Sequence, residues 1–341
     1  MTAVYEEREP DQLPGVAPPE YTTEIRGHAA ALDTLRERLA TGRLPGGVLL
    51  HGPRGIGKAT LAFAFAREVF TTTSDETAAH VTAQVAAGAY PNLFVLRRAP
   101  KDSGKGYDTV IKVDAIRALV EQMHRTRGRA GHRIAILDAI DDCNVQATNA
   151  LLKILEEPPA DTTFLLVSHR PGALLPTIRS RCIEIALRPL ADADVRAVLE
   201  TAGTEPDPDT IDRAVALSGG SPRRGLEALQ LGSADALEAL RAWLSNPAAA
   251  PPAARIALAD TLAADKDGAQ MRFARELIFD WLAAEARDAA ISGPRQRLAS
   301  ASELWEKAGQ SLADADAYNL DMRQTLVALF DAIRRHCALT A

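Results

Sequence analysis

The sequence has 341 residues, 47% of them apolar, enough for two or three packed domains and too apolar for a fibrous or disordered chain. Its 45 acidic and 39 basic residues give a net charge of −6, which excludes a surface built throughout to neutralise phosphates. Cys143, Cys182 and Cys337 form no CxxC pair, which excludes a disulfide scaffold and a Cys-rich zinc module, and no apolar run nears the roughly 20 residues that span a bilayer.

Residues 1–22 read as an acidic, proline-rich leader, with Glu6, Glu7, Glu9 and Asp11 ahead of Pro14, Pro18 and Pro19, unlike a signal or transit peptide. Helical spacing over 29–40 puts Leu32, Leu35 and Leu39 on one face. An apolar run at 48–50 then enters a glycine-rich turn and a helix over 59–70. The alternation continues with a strand at 92–96, a helix over 113–127, a strand at 134–137 and a helix over 144–157 that Pro158 and Pro159 stop. Strands at 163–167 and 183–186 complete the series. Strands alternating with helices imply a parallel sheet, and continuous apolar runs imply strands covered on both faces. From 189 onward the pattern is helical: three short helices at 192–201, 210–217 and 224–231, then long Ala/Leu-rich stretches broken at 246–252 and 293–294. The expected class is α/β plus all-α, with an α/β domain over 23–188 and helical domains over 189–233 and 234–341.

The segment Gly52-Pro53-Arg54-Gly55-Ile56-Gly57-Lys58-Ala59-Thr60 stands between a predicted strand and a predicted helix, where a phosphate-binding loop belongs. Its glycines let the backbone turn successive N–H groups toward phosphate oxygens, and Lys58 supplies a cation. Ala59, however, stands where such loops carry the Ser or Thr hydroxyl that positions Mg²⁺. Thr60 is one residue on, about 100° around the helix, and does not replace that ligand. The strand at 134–137 ends on Asp138, the expected acid, but Ala139 follows where a water-orienting carboxylate belongs. Asp141 and Asp142 read as helix-start residues ahead of Asn144. Two separate losses point to a site equipped to hold a nucleotide and poorly equipped to hydrolyse one. Arg125, Arg127, Arg129, His132 and Arg133 form the most basic stretch, but with no aromatics interleaved it reads as a solvated helix end rather than a nucleic-acid surface.

Several motifs together resemble the AAA+ subunits of bacterial DNA polymerase III clamp loaders. They are Ile25-Arg26-Gly27-His28, Gly52 to Thr60, Asn149-Ala150-Leu151-Leu152-Lys153-Ile154-Leu155-Glu156-Glu157-Pro158-Pro159, Ser180-Arg181-Cys182 and Gly219-Gly220-Ser221-Pro222-Arg223. Within that family the chain looks more like the delta-prime branch than the motor ATPase, which carries Ser or Thr after the loop Lys, an Asp-Glu pair and a four-cysteine zinc module. The resemblance implies an AAA+ domain, a helical lid and a helical collar. It implies Arg181 as an arginine finger for a neighbour's ATP, and Ser168 and Arg223 as polar sensors beside the chain's own nucleotide. It further implies ATP bound but not efficiently hydrolysed, no structural zinc, and a cytoplasmic replisome setting without membrane contact. The implied partners are gamma/tau and delta subunits in a pentameric ring, with the sliding clamp and primed DNA reached through the complex. A catalytically active AAA+ ATPase, motor subunit or helicase, is the alternative; it would use Thr60 for metal and Asp141 or Asp142 as base.

Overall fold

The computed structural model describes residues 12–101, 103, 106–124, 129–201, 207–231, 233–265 and 268–340. Half of the acidic leader, residues 1–11, and Arg125 and Arg127 of the basic stretch lie outside the described residues. The chain divides into two compact units, Met1–Glu227 and Ala228–Ala341.

The first unit is built on a parallel sheet of β1 (Gly47–His51), β2 (Leu93–Leu96), β3 (Arg133–Asp138), β4 (Thr162–Ser168) and β5 (Ile183–Ala186), in the order β2-β3-β4-β1-β5. The central strands β1, β3 and β4 are buried nearly throughout, as their continuous apolar runs predict, while the edge strands β2 and β5 stay partly open. Alternate residues separate the two faces. Leu49, Ala135, Leu137, Phe164 and Leu166 pack with α4 (Val113–His124) and α5 (Val145–Glu156), which contribute Ile116, Leu119, Leu151 and Ile154. Against the sheet lies α2 (Lys58–Thr73), itself flanked by α1 (Ala29–Ala40), α3 (Ala78–Ala86) and a short turn at Pro19–Tyr21. Enclosed on several sides, α2 buries Leu61, Phe63, Phe65, Val69 and Phe70, each side chain worth about 1.5–3 kcal/mol. Asn144 caps α5 by accepting from the Ala147 N–H at 2.8 Å.

Among the described residues of the basic stretch, Arg129, His132 and Arg133 are engaged in contacts rather than forming the solvated helix end that composition suggests. Arg133 opens β3, is buried, and donates to the Met123 carbonyl at 2.5 Å, while His132 Nε2 lies 2.9 Å from Thr163 Oγ1 and Arg129 pairs with Glu76. Between β4 and β5 lies α6 (Pro176–Arg179), and β5 is followed by α7 (Asp192–Glu200), α8 (Pro208–Ser218) and α9 (Pro222–Gln230), whose residues from Ala228 onward fall in the second unit.

The second unit consists of α10 (Asp235–Ser245), α11 (Pro252–Ala263), α12 (Ala269–Ser292), α13 (Arg295–Tyr318) and α14 (Met322–Thr340). Leu240, Leu262, Phe273, Ile278, Leu304, Leu326, Phe330 and Ile333 form its buried interior, with the Trp243 and Phe330 rings 4.9 Å apart. Among the described residues no helix is long and apolar enough to cross a membrane.

Candidate functional site

The loop Gly52 to Gly57 leaves the C-terminal end of β1, the edge of a parallel sheet where ligands bind, and runs into the first turn of α2. The first N–H groups of that helix have no acceptor within it and carry the positive end of its dipole. Lys58 is 3% exposed, and its Nζ donates to the carbonyls of Gly52 at 2.9 Å and Pro53 at 2.5 Å. Burial pushes its pKa down to about 8, with Asp138 and Asp141 opposing and Arg54 reinforcing the shift. Pro53 and Arg54 are exposed at the crown, Ala59 and Thr60 are half-buried, and the buried Ile56 side chain anchors the loop.

Two supports hold the loop. His28 Nε2 is 2.7 Å from the Ile56 carbonyl oxygen; burial lowers the imidazole pKa, so the neutral ring donates from Nε2. From the other side, the Arg223 N–H donates to the Gly55 carbonyl at 3.2 Å and Ser221 Oγ to the Arg54 carbonyl at 3.3 Å. The approach requires Gly55: at φ +76°, a Cβ there would lie 2.5 Å from Ser221 Oγ and 2.6 Å from Arg223 Cβ. The Arg223 side chain pairs with Glu227 at 2.9 Å.

Asp138 stands at the end of β3, where the sequence places it, but its carboxylate is committed. Arg97, just past β2, puts Nε 3.3 Å from Asp138 Oδ2 and spans Glu20 with its two terminal nitrogens at 3.2 and 3.1 Å. Arg67 in turn donates to the carbonyls of Glu20, at 3.1 Å, and Thr22. Glu20, the last acid of the segment read as a leader, is therefore a buried part of this site. Neither Arg97 nor Glu20 is singled out by sequence reasoning; the one signal was charge inside or beside otherwise apolar segments.

Asp141 and Asp142 do not start α5. The Asp141 carboxylate accepts from Ser168 Oγ at 3.0 Å, the His169 N–H at 2.6 Å and the Arg170 N–H at 3.1 Å, while Asp142 pairs with Arg98 at 3.0 Å. Ser168 is fully buried, and its carbonyl accepts from the Gly52 N–H at 3.3 Å. It thus braces the loop through its own backbone, while Asp141 holds its hydroxyl.

Arg181 is not with these groups. It precedes β5, which runs parallel to β1 with Ile183 opposite Val48, so it sits at the start of the strands and the loop at their end. Its carbonyl oxygen lies 3.2 Å from where a Cβ on Gly47 would stand. The roughly 3.3 Å rise per strand residue then separates it from the loop by ~17 Å. Its guanidinium donates to the Thr177 carbonyl at 2.9 Å and pairs with Glu156 of α5.

The loop N–H groups, Lys58 and Arg54 suit the phosphates of a nucleotide. The residues present do not suit Mg²⁺: position 59 offers no hydroxyl and Asp138 already faces a guanidinium. Among the described residues no cluster of three His, Cys, Asp or Glu side chains could hold a metal ion.

Residues 27–191 match the family described as DNA polymerase III, delta subunit. Over 179 residues the chain is 39% identical to DNA polymerase III subunit delta' of Pseudomonas aeruginosa, covering 51% of this chain and 52% of that protein. It is 28% identical over 232 residues to replication factor C subunit 3 of Blastobotrys adeninivorans, covering 66% of this chain and 61% of that one. The chain thus spans less than two thirds of the length of either curated relative. A solved DNA polymerase III gamma subunit-related protein of Thermotoga maritima aligns over 89% of this chain and 99% of that one, at TM-score 0.44 and 16% identity.

Proposed function

We propose that this chain, whose residues 27–191 match the family described as DNA polymerase III, delta subunit, works as an AAA+ clamp-loader subunit, a delta-prime-type stator that presents Arg181 to the ATP of a neighbouring subunit. The observation that carries this reading is the position of Arg181 at the opposite end of the sheet from Lys58. At that distance the guanidinium does not reach its own loop, which supports a use in trans. An arginine fork is permanently charged and matches phosphate geometry, and fingers of this kind raise phosphoryl-transfer rates by about 10³–10⁵. Glu156 and the Thr177 carbonyl hold the side chain until a more concentrated negative charge replaces them.

The chain's own site supports retention rather than turnover. A water-orienting base would have to come from Asp141 or Asp142, and both are engaged, one by three hydrogen bonds and the other by Arg98. That weighs against the rival reading of an active motor or helicase. In the proposed complex, gamma/tau and delta subunits complete a pentameric ring in the cytoplasm, residues 189–233 act as lid, and residues 234–341 act as collar. The ring opens the sliding clamp and places it on primed DNA.

Reconstitution of the complex with wild-type chain and with Arg181→Ala tests this. We expect the variant to slow hydrolysis at the adjoining site by at least about 10²-fold and to abolish clamp loading, with Arg181→Lys restoring little because a point charge lacks the fork. Unchanged ATPase and loading with the alanine variant would sink the finger assignment. ATP hydrolysis by the isolated chain at motor-subunit rates would sink the stator.

A further inference from the structure

We propose that Arg97 takes the place of the divalent cation in this site, so that the loop Gly52 to Lys58 binds a nucleoside di- or triphosphate without metal. The inference rests on reading that loop as nucleotide-binding and is independent of what Arg181 does.

Register puts Arg97 where it is. Leu96 of β2 pairs with Leu137 of β3, so the next residue of each strand emerges side by side at the end of the sheet that carries the loop. Arg97 Nε reaches Asp138 Oδ2 at 3.3 Å, and its guanidinium lies 5.4 Å from the centre of the Phe63 ring. The side chains of Arg97, Glu20 and Asp138 are only 9%, 5% and 11% exposed. Glu20 grips both terminal nitrogens, and Arg67 fixes the segment that carries Glu20. The guanidinium is therefore a stationary buried charge, not a surface side chain that could swing aside.

Two features then agree. A metal-dependent loop of this type needs an uncommitted carboxylate at the strand end and a hydroxyl after the lysine. This chain has a carboxylate already balanced by a cation that cannot lose its proton, and a methyl group at Ala59. A divalent ion drawn to Asp138 would have to displace the Arg97 guanidinium, which Glu20 holds in place at 3.1 and 3.2 Å. The positive charge a phosphate needs is present without it, in Lys58, Arg54 and the helix start.

Calorimetric titration of the full chain with ATP and with ADP, in excess Mg²⁺ and in excess EDTA, tests the proposal. Dissociation constants should agree within about threefold between the two conditions. Weakening by about tenfold or more in EDTA, or no binding in either condition, overturns it. Arg97→Met combined with Glu20→Gln removes the cation and one of its two carboxylate partners, leaving Asp138 as the uncommitted acid. If that chain retains its circular dichroism, binding should become at least about tenfold tighter with Mg²⁺ than with EDTA. A folded double variant that stays indifferent to metal also overturns the role of Arg97. Should it fail to fold, the wild-type comparison still decides. None of these results touches the finger, which is read only from the adjoining subunit's hydrolysis in the complex.

Discussion

At the scale of single residues, Lys58 sets how the loop responds to pH. Its ordinary pKa is 10.5, and burial brings it to about 8. Between those two values the unfolded chain holds a proton that the folded chain has lost, so stability rises with pH across that window. At 1.36 kcal/mol per unit, the gain is on the order of 2–3 kcal/mol. Urea unfolding of wild type and Lys58→Met from pH 7 to 10.5 should show the wild type gaining by that amount relative to the variant; parallel curves would contradict the buried, depressed lysine. Phosphates reverse the sign locally, because a nearby negative charge raises the pKa. ATP binding near pH 8.5 should consequently take up a proton, seen as a dependence of binding heat on buffer ionisation enthalpy.

At the scale of elements, the motifs that are most specific in sequence meet on one strand. A Cβ on Gly47 of β1 would stand 2.8 Å from Cys182 Sγ, 3.2 Å from the Arg181 carbonyl and 3.3 Å from Leu155 Cδ2. Gly47 is therefore small so that α5 and the Ser-Arg-Cys segment can both close on β1. Gly47→Ala should destabilise the chain by about 1–3 kcal/mol through overpacking and displace Arg181, so that complex ATPase falls further than the loss of folded protein explains. Thermal unfolding and ATPase on the same preparations measure both. The convergence shows what sequence carries well: apolar runs revealed β1, β3 and β4 because those strands are covered on both faces, and the loop revealed itself because strand, glycines and helix are contiguous. The Glu20–Arg97–Asp138 cluster was hidden because Glu20 and Arg97 are 77 positions apart and only the parallel pairing of β2 with β3 brings Arg97 to Asp138. Asp141 was misread for a related reason. Local spacing makes it a helix-start residue, whereas its carboxylate is spent on the β4 turn, on residues 27 to 29 positions away.

At the scale of the whole molecule, each unit holds one shifted group that can be followed, Lys58 in the first and Glu285 in the second, and the chain provides a probe that tells the units apart. All three tryptophans, Trp243, Trp281 and Trp305, lie in Ala228–Ala341, so their fluorescence reports on that unit alone. There Glu285 receives Arg297 at 2.8 Å and His336 at 3.2 Å, and the His336 ring stands edge-on 6.3 Å from Trp281. Burial alone would raise the Glu285 pKa, but Arg297 and His336 hold it below the ordinary value of 4.5. A depressed carboxylate stabilises the fold above its unfolded pKa, and that contribution is lost as pH falls through the lower folded value. Glu285→Gln should therefore weaken the fluorescence-detected transition by about 1–2 kcal/mol at pH 7, a charged hydrogen bond discounted for partial solvation. The gap to wild type should be full above the ordinary carboxylate value of 4.5 and close only as pH falls through the lower folded value, where the wild-type carboxylate becomes protonated. Lys58→Met, in the other unit, should leave the fluorescence transition in place while shifting the circular-dichroism curve above pH 8. Should both variants move both probes equally, the two units unfold as one cooperative body, and stability changes in Ala228–Ala341 would reach the loop Gly52 to Lys58 directly.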